Sequence, residues 1–277
     1  MQKAVSIFGV SFFLATICTI VLADAVPGAL LYFDARDNNR AHPDAWRNLG
    51  TVGGELSGAG KPPELEQGTI AIPALGIDTN SKFYTHNKAD QAWGDQGDDL
   101  EFFIEDWTLE FLFKLHGENH QGARANQFAG FQPKKLQEHN AIRLFFGSGL
   151  GELGGIFSGQ PVHSLRPGRN WTEDGWIWLT LTRSTDSNIK VYQDGKLVDL
   201  KVNVFFHKTP PIEVVTIGAN SYVERGRSFT GSIALVRLYD IALDKNQVKQ
   251  NITAWIEWRG VDPASKLTMT WGRVKAR

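Results

Sequence analysis

From Trp107 to Leu115 the apolar side chains recur at every second position. Trp107, Leu109, Phe111, Phe113 and Leu115 share one face, and Thr108, Glu110 and Lys114 share the other, with Leu112 interrupting the polar set. A period of two is the signature of a strand with one face turned to a core. The segment Trp176–Thr182 repeats it: Ile177, Leu179 and Leu181 lie on one side, Trp176, Trp178, Thr180 and Thr182 on the other. That second side is amphipathic rather than charged, as expected where the far face of a sheet is partly covered. Shorter strands are predicted over 29–35, around 70–72 and 83–84, and over 127–131, 142–146 and 155–157, while the Gly/Pro-rich stretch 53–63 reads as loop. Helical spacing occurs after Leu243, where Val248, Ile252 and Trp255 fall four and three apart behind Asp244 as a candidate N-cap. The tail 262–277, with LTMTWGR, adds an edge strand or stays irregular. Many strands and one short C-terminal helix predict an all-β fold of two antiparallel sheets packed face to face.

The region 189–243 is the most specific. Asp194-Gly195 tolerates the positive φ angles of a two-residue turn, and alternating side chains flank it, so a hairpin is predicted there. With Trp176 upstream, five segments occur in order: Tyr192-Gln193-Asp194-Gly195-Lys196, Ile217-Gly218-Ala219, Phe229-Thr230-Gly231-Ser232-Ile233, Val236-Arg237-Leu238-Tyr239 and Ala242-Leu243. These resemble the laminin-G-like family of concanavalin A-type jelly rolls. The resemblance implies a jelly-roll sandwich and a carbohydrate or protein ligand gripped by rim loops. Relatives also often begin with a strand, an Asp-rich loop and a Trp, matched here by 29–35, the polar residues through Asn39, and Trp46. One departure is Ala234, where many relatives carry an acidic residue; any role of that acid is not carried over.

The chain opens with Met1-Gln2-Lys3 and an apolar run from Ala4 to Leu22, followed by Ala23-Asp24-Ala25. Small residues at 23 and 25 fit the two positions a signal peptidase reads, so 1–25 is expected to be a signal peptide and 26–277 a single domain. The run also approaches the ~20 residues that span a bilayer, so a retained anchor is the alternative. Cys18 raises a lipoprotein reading, opposed by the bulk of Ile17 before it. This one cysteine lies in the leader, so an exported domain must be stable through its core alone. Seventeen Phe and nine Trp supply bulky core material. A net charge of −1 without a Lys/Arg cluster excludes an electrostatic nucleic-acid footprint. Nothing beyond the leader calls for a membrane. The expected location is secreted, periplasmic or cell-surface.

Glycoside hydrolysis is the serious catalytic alternative, since some jelly rolls of this superfamily are glucanases. A retaining site needs two carboxylates about 5 Å apart, and on one strand face that means acids at i and i+4 with another between. Glu101 and Glu105 are four apart, but Phe103 stands between them and Glu110 points the other way. These acids read as solvated strand-edge carboxylates. No G-x-S-x-G elbow occurs, and the histidines (His42, His86, His116, His120, His139, His163, His207) are scattered through loop-like sequence. Calcium is a candidate cofactor. Asp34, Asp37 and Asn38 form one oxygen-rich cluster, and Asp95, Asp98 and Asp99 form the favoured one. Trp93, Trp171 and Trp178 are candidate aromatic platforms for sugar, against the ordinary role of Trp in a core. Asn170-Trp171-Thr172 and Asn251-Ile252-Thr253 match the glycosylation sequon.

The reading is therefore an exported, non-catalytic binding module for a glycan or an extracellular protein. A hydrolase with an atypical site and a purely structural surface domain are the alternatives. An enzyme requires acids paired across neighbouring strands in a groove.

Overall fold

A computed structural model describes residues 25–37, 45–59, 64–67, 73–77, 83–85, 104–115, 126–132, 142–146, 153–157, 160–165, 175–186, 188–202, 211–218 and 231–259. The strands in chain order begin with β1 (Leu31–Asp34), β2 (Ala45–Arg47), β3 (Glu55–Ala59), β4 (Glu64–Gln67), β5 (Pro73–Ile77), β6 (Phe83–Thr85), β7 (Trp107–Leu115) and β8 (Asn126–Gln132). They continue with β9 (Ile142–Phe146), β10 (Leu153–Phe157), β11 (Gln160–Leu165), β12 (Trp176–Ser184), β13 (Asn188–Gln193), β14 (Lys196–Lys201), β15 (Val214–Ile217) and β16 (Gly231–Tyr239). One helix, α1 (Lys245–Arg259), follows, and a 3-10 turn at Ala35–Asp37 closes β1.

The strands form two antiparallel sheets. One runs β14-β13-β12-β7-β16-β5-β4 with β1 also on β16; the other runs β11-β10-β9-β8-β15-β6-β3-β2. Strand β16 shares one edge between two partners: Gly231–Ile233 pair with β5, and Leu235–Leu238 pair with β1. On its other edge the register against β7 shifts between Ile233 and Leu235, leaving Ala234 unmatched. That bulge turns Ala234 and Leu235 together to the outer face, while Ile233, Val236 and Leu238 face inward.

The core lies between the sheets. Trp107, Leu109, Phe111 and Phe113 of β7 and Ile177, Leu179 and Leu181 of β12 meet Trp46, Leu56, Phe131, Leu144, Val215 and Ile217 of the second sheet. Each fully buried side chain of this size contributes roughly 1.5–3 kcal/mol. Phe33 and Trp46 pack with ring centroids 5.6 Å apart.

The predicted alternation of β7 and β12 is the observed one. Leu112, the odd apolar residue on the polar face, lies under the helix with Trp178, Ala234, Leu235 and Trp255. The expected loop over 53–63 is corrected: Glu55–Ala59 is strand, paired with β2 and β6. Strands β4 and β11 carried no alternation clear enough to predict, and a strand at Pro73–Ile77 stands beside the expected one near 70–72, which lies outside the described residues together with the tail 262–277.

Two local devices fix the first strand and the hairpin. Asn48 accepts from the Tyr32 and Gly50 amides at 2.8 and 2.9 Å and donates to the Gly53 carbonyl at 2.8 Å, stapling the segment after β2 onto β1. Gly50 sits so close that an added Cβ would stand 2.4 Å from the Leu30 carbonyl oxygen. In the β13–β14 turn, Asp194 and Gly195 have φ of 50° and 73°, as the two-residue hairpin requires. A Cβ on Gly195 would also meet Ile252 Cδ1 at 3.2 Å, because α1 rests on this turn.

Gly50→Ala is expected to destabilise the fold by about 1–3 kcal/mol through a backbone collision. Gly53→Ala, with φ of 73° and open space around it, should cost about 1–2 kcal/mol through left-handed strain alone. Urea unfolding of the two variants checks this; Gly50→Ala melting with the wild type would contradict the close approach.

Candidate functional site

The outer face of the first sheet is where polar chemistry concentrates. Strand β7 presents Thr108 and Glu110 there, and the register sets Glu110 opposite Thr180 of β12 and Arg237 of β16. Helix α1 closes over them. Its N-terminus is held by a reciprocal cap: Asp244 Oδ1 accepts from the Asn246 and Gln247 amides at 2.7 and 2.9 Å, and Gln247 Oε1 accepts from the Asp244 amide at 2.9 Å. The cap is anchored in turn by Thr108, whose hydroxyl donates to the Ile241 carbonyl and accepts from the Leu243 amide at 2.7 Å. Val248 and Trp255 then point into the sheet, both buried.

Beneath the helix Glu110 is completely buried. Its Oε2 accepts from Asn251 Nδ2 at 2.9 Å, and its Oε1 accepts from the Thr180 hydroxyl at 3.4 Å. Arg237 Nη1 stands 3.6 Å from Oε2, near enough for charge attraction without a direct hydrogen bond. The Arg237 guanidinium lies over the Tyr32 ring, 4.4 Å from its centroid. Asn251 Nδ2 also reaches the Tyr239 hydroxyl at 3.1 Å, which donates to the Val26 carbonyl at 3.2 Å. Burial pushes the Glu110 carboxyl above the usual carboxylate range, against the opposing pull of Arg237, Asn251, Trp178 and Thr180. Arg237 stays cationic: burial opposes its charge, and Glu110, Tyr239 and Tyr32 together outweigh that. Burial likewise holds the Tyr239 phenol above its ordinary range, with Glu110 acting in the same direction.

A second cluster lies toward the helix C-terminus. Asp34 accepts from Tyr32 Oη at 3.0 Å, Trp255 Nε1 at 3.3 Å and Arg36 Nε at 2.7 Å, and it pairs with a second guanidinium nitrogen of Arg36. The Arg36 guanidinium stacks on Trp255, 4.5 Å from the ring centroid.

This geometry decides several sequence expectations. Glu110 is not a solvated edge carboxylate; it sits on a central strand under a helix. Asp34 does not fit a calcium ligand, because donors already engage both of its oxygens, and Asp37 pairs with Arg47 at 2.8 Å. Among the described residues no group of three metal-ligating side chains converges. Trp178 is 4% exposed and packs edge-on to Trp255, with centroids 5.7 Å apart, so its ring serves the sheet–helix core and offers no face to a sugar. Trp93, Trp171, Asp95, Asp98 and Asp99 lie outside the described residues. The segment with Trp93 and the three aspartates leads into β7 at Trp107, beside Arg183 of β12, whereas the segment with Trp171 leads into β12 beside Lys114.

Nor, among the described residues, do acids pair across neighbouring strands. The cross-strand neighbours of Glu110 are Thr180 and Arg237, and its side chain is completely buried. Sequence reading missed Arg237 and Asn251. The signal was a charged residue in the apolar strand ALVRLY and an Asn on the sheet-facing side of the helix, in register with Val248 and Trp255.

Two antiparallel sheets with one docked helix define a concanavalin A-like sandwich. The profile of the Laminin_G_3 family, described as the Concanavalin A-like lectin/glucanases superfamily, matches residues 89–249, and the chain belongs to that family. Among curated proteins none matches it in sequence. The fold is similar to the receptor binding domain of botulinum neurotoxin D (TM-score 0.60, 11% identity, covering 83% of this chain and 53% of that one). It is also similar to the botulinum neurotoxin serotype D ligand binding domain solved with N-acetylneuraminic acid (TM-score 0.59, 12% identity, 82% and 50% covered). A third similar structure concerns botulinum neurotoxin type C, whose cell entry depends on two ganglioside molecules (TM-score 0.55, 14% identity, 82% and 51% covered). The chain spans about half the length of these toxin chains.

Glu110→Leu and Arg237→Leu should each cost about 3–5 kcal/mol by stranding the buried partner charge, and the double variant far less than their sum. Denaturant unfolding of the four proteins tests the coupling; simple additivity would contradict it. The sign with pH follows from the raised carboxyl. The folded state holds the Glu110 proton more tightly, so its contribution is full below the unfolded value near ~4.3 and is lost as pH rises through the folded one. Relative to Glu110→Gln, the wild type should therefore lose stability as pH climbs above ~4.3.

Proposed function

We propose that this chain is an exported, non-catalytic binding module that recognises a glycan through the connections at the rim of its sandwich. One observation carries the reading: among the described residues the most polar face of the sheet is closed by α1, and its carboxylate is consumed by Arg237, Asn251 and Thr180. That arrangement leaves no acid pair for glycoside hydrolysis there. Membership of a lectin-like family and fold likeness to toxin domains solved with sialic acid or described with gangliosides favour sugar over protein.

The segment 86–103 is the first choice for the ligand site. It places Trp93 near Asp95, Asp98 and Asp99 in sequence, a stacking platform beside hard oxygen donors suited to calcium. If calcium binds there, it supplies a fixed positive centre that orders this connection. Trp171 is a second and independent candidate.

A glycan array on the exported protein, with and without a calcium chelator, tests the proposal. Trp93→Ala should weaken binding by at least ~10-fold, and chelation should abolish it. No binding across the array would overturn the glycan reading. So would turnover of a polysaccharide lost on neutralising a single acid.

A further inference from the structure

Val26 is held on both sides of its backbone by buried side chains that belong to other elements. Its amide nitrogen donates to Asn251 Oδ1 at 2.8 Å, and its carbonyl accepts from the Tyr239 hydroxyl at 3.2 Å. Its side chain packs against the cluster of Ala29, Tyr192, Tyr239, Leu243 and Val248. Pro27 follows, which lacks an N–H and so leaves no donor unmet where the chain turns away. Gly28, with φ of 86°, then redirects the backbone into Ala29. The two bonds clamp a residue that precedes the first strand. Here it falls on the residue directly after Ala23-Asp24-Ala25, the small-residue pattern behind the apolar run.

We infer that the Ala25–Val26 bond is a processing site, and that the α-ammonium released there is a structural group which locks onto Asn251. The step is hydrolysis by a signal peptidase. Water's oxygen bonds to the Ala25 carbonyl carbon, the C–N bond breaks, Ala25 leaves as a carboxylate with the leader, and Val26 keeps the nitrogen and takes up protons. The amide donor on Asn251 Oδ1 thereby becomes a cationic donor at the same place, and charge-assisted bonds are roughly twice as strong as neutral ones. Asn251 is placed to transmit this, because its Nδ2 already donates to the Glu110 carboxylate at 2.9 Å. The result is one alternating chain, α-ammonium, amide, carboxylate and guanidinium, running from the new terminus to Arg237. Glycan attachment at Asn251 is incompatible with this, since its side chain is completely buried and engaged at both ends.

The titratable groups packed around this terminus are Tyr32 from β1, Tyr192 from β13 and Tyr239 from β16, with Asp244 of the α1 cap acting on Tyr192, and Glu110 of β7 and Arg237 of β16 lie behind Asn251. Burial holds the Tyr192 and Tyr239 phenols above their ordinary range, so the α-amine is the group expected to titrate just above neutrality. A stabilising charge-assisted bond to Asn251 requires, by linkage, that the α-amine hold its proton more tightly in the folded state than at the unfolded ~7.7–8.0. Its contribution is therefore full below ~8 and lost as pH rises through the folded value.

The test begins with the full 277-residue chain expressed in a secreting host. Intact mass and N-terminal sequencing of the exported product should give Val26 as the first residue. This product is then melted beside a version retaining Ala25, released from a fusion by a specific protease. At pH 7 the Val26 form should melt higher by roughly 2–4 °C, and the gap should close by about pH 10. A product that begins elsewhere or keeps its leader overturns the assignment. A Val26 product with no gap, or with one that ignores pH, overturns the role of the terminus.

Discussion

The ion pair of Glu110 and Arg237 is the constraint on which the arrangement depends. Both groups sit on central strands, at 0% and 3% side-chain exposure, and neither could stay charged in that position without the other. The sheet alone does not satisfy them. Asn251 and Thr180 complete the carboxylate, Tyr32 covers the guanidinium, and α1 excludes water from both. A helix in this place is thus a requirement of the strands beneath it. The reciprocal Asp244–Gln247 cap, the Thr108 anchor and the glycine under Ile252 are the means by which the chain delivers that helix to its seat.

The same constraint shapes what the protein does. A sandwich with an open, acid-lined sheet face is suited to cleaving a polymer. Here the acidic position is spent on docking a helix, and the aromatic residues beside it, Trp178 and Trp255, are spent on the seam between helix and sheet. The proposed ligand contact therefore lies away from this seam. The chain's family has a concanavalin A-like fold, and that fold is shared with a toxin binding domain at 11% identity, so the fold does not fix the ligand.

Much of the architecture is legible in the sequence itself. Period-two alternation in β7 and β12, the Asp194-Gly195 turn and the Asp244 cap are local signals, and local physics fixes them. Strand β3 was illegible because Gly58 and its polar neighbours resemble loop, and only pairing with β2 and β6 makes it strand. The site was harder. Glu110 and a solvated edge glutamate look alike along the chain, since burial here comes from an element 141 residues away. Trp178 was misread for the same reason: its cover is Trp255, on a helix whose docking angle no local pattern encodes. Asn251 passed for a glycosylation sequon, although its place beside Val248 and Trp255 on one helix face foretold burial.

Native-state hydrogen exchange on α1 tests the central claim most directly. If the helix is an integral cover over the charge pair, the amides of its buried turns around Val248, Asn251 and Trp255 exchange only through global unfolding, with the same opening free energy as β7 and β12. Exchange of those amides through a much smaller opening, while β7 and β12 remain protected, would contradict it and make the helix a lid over an accessible carboxylate.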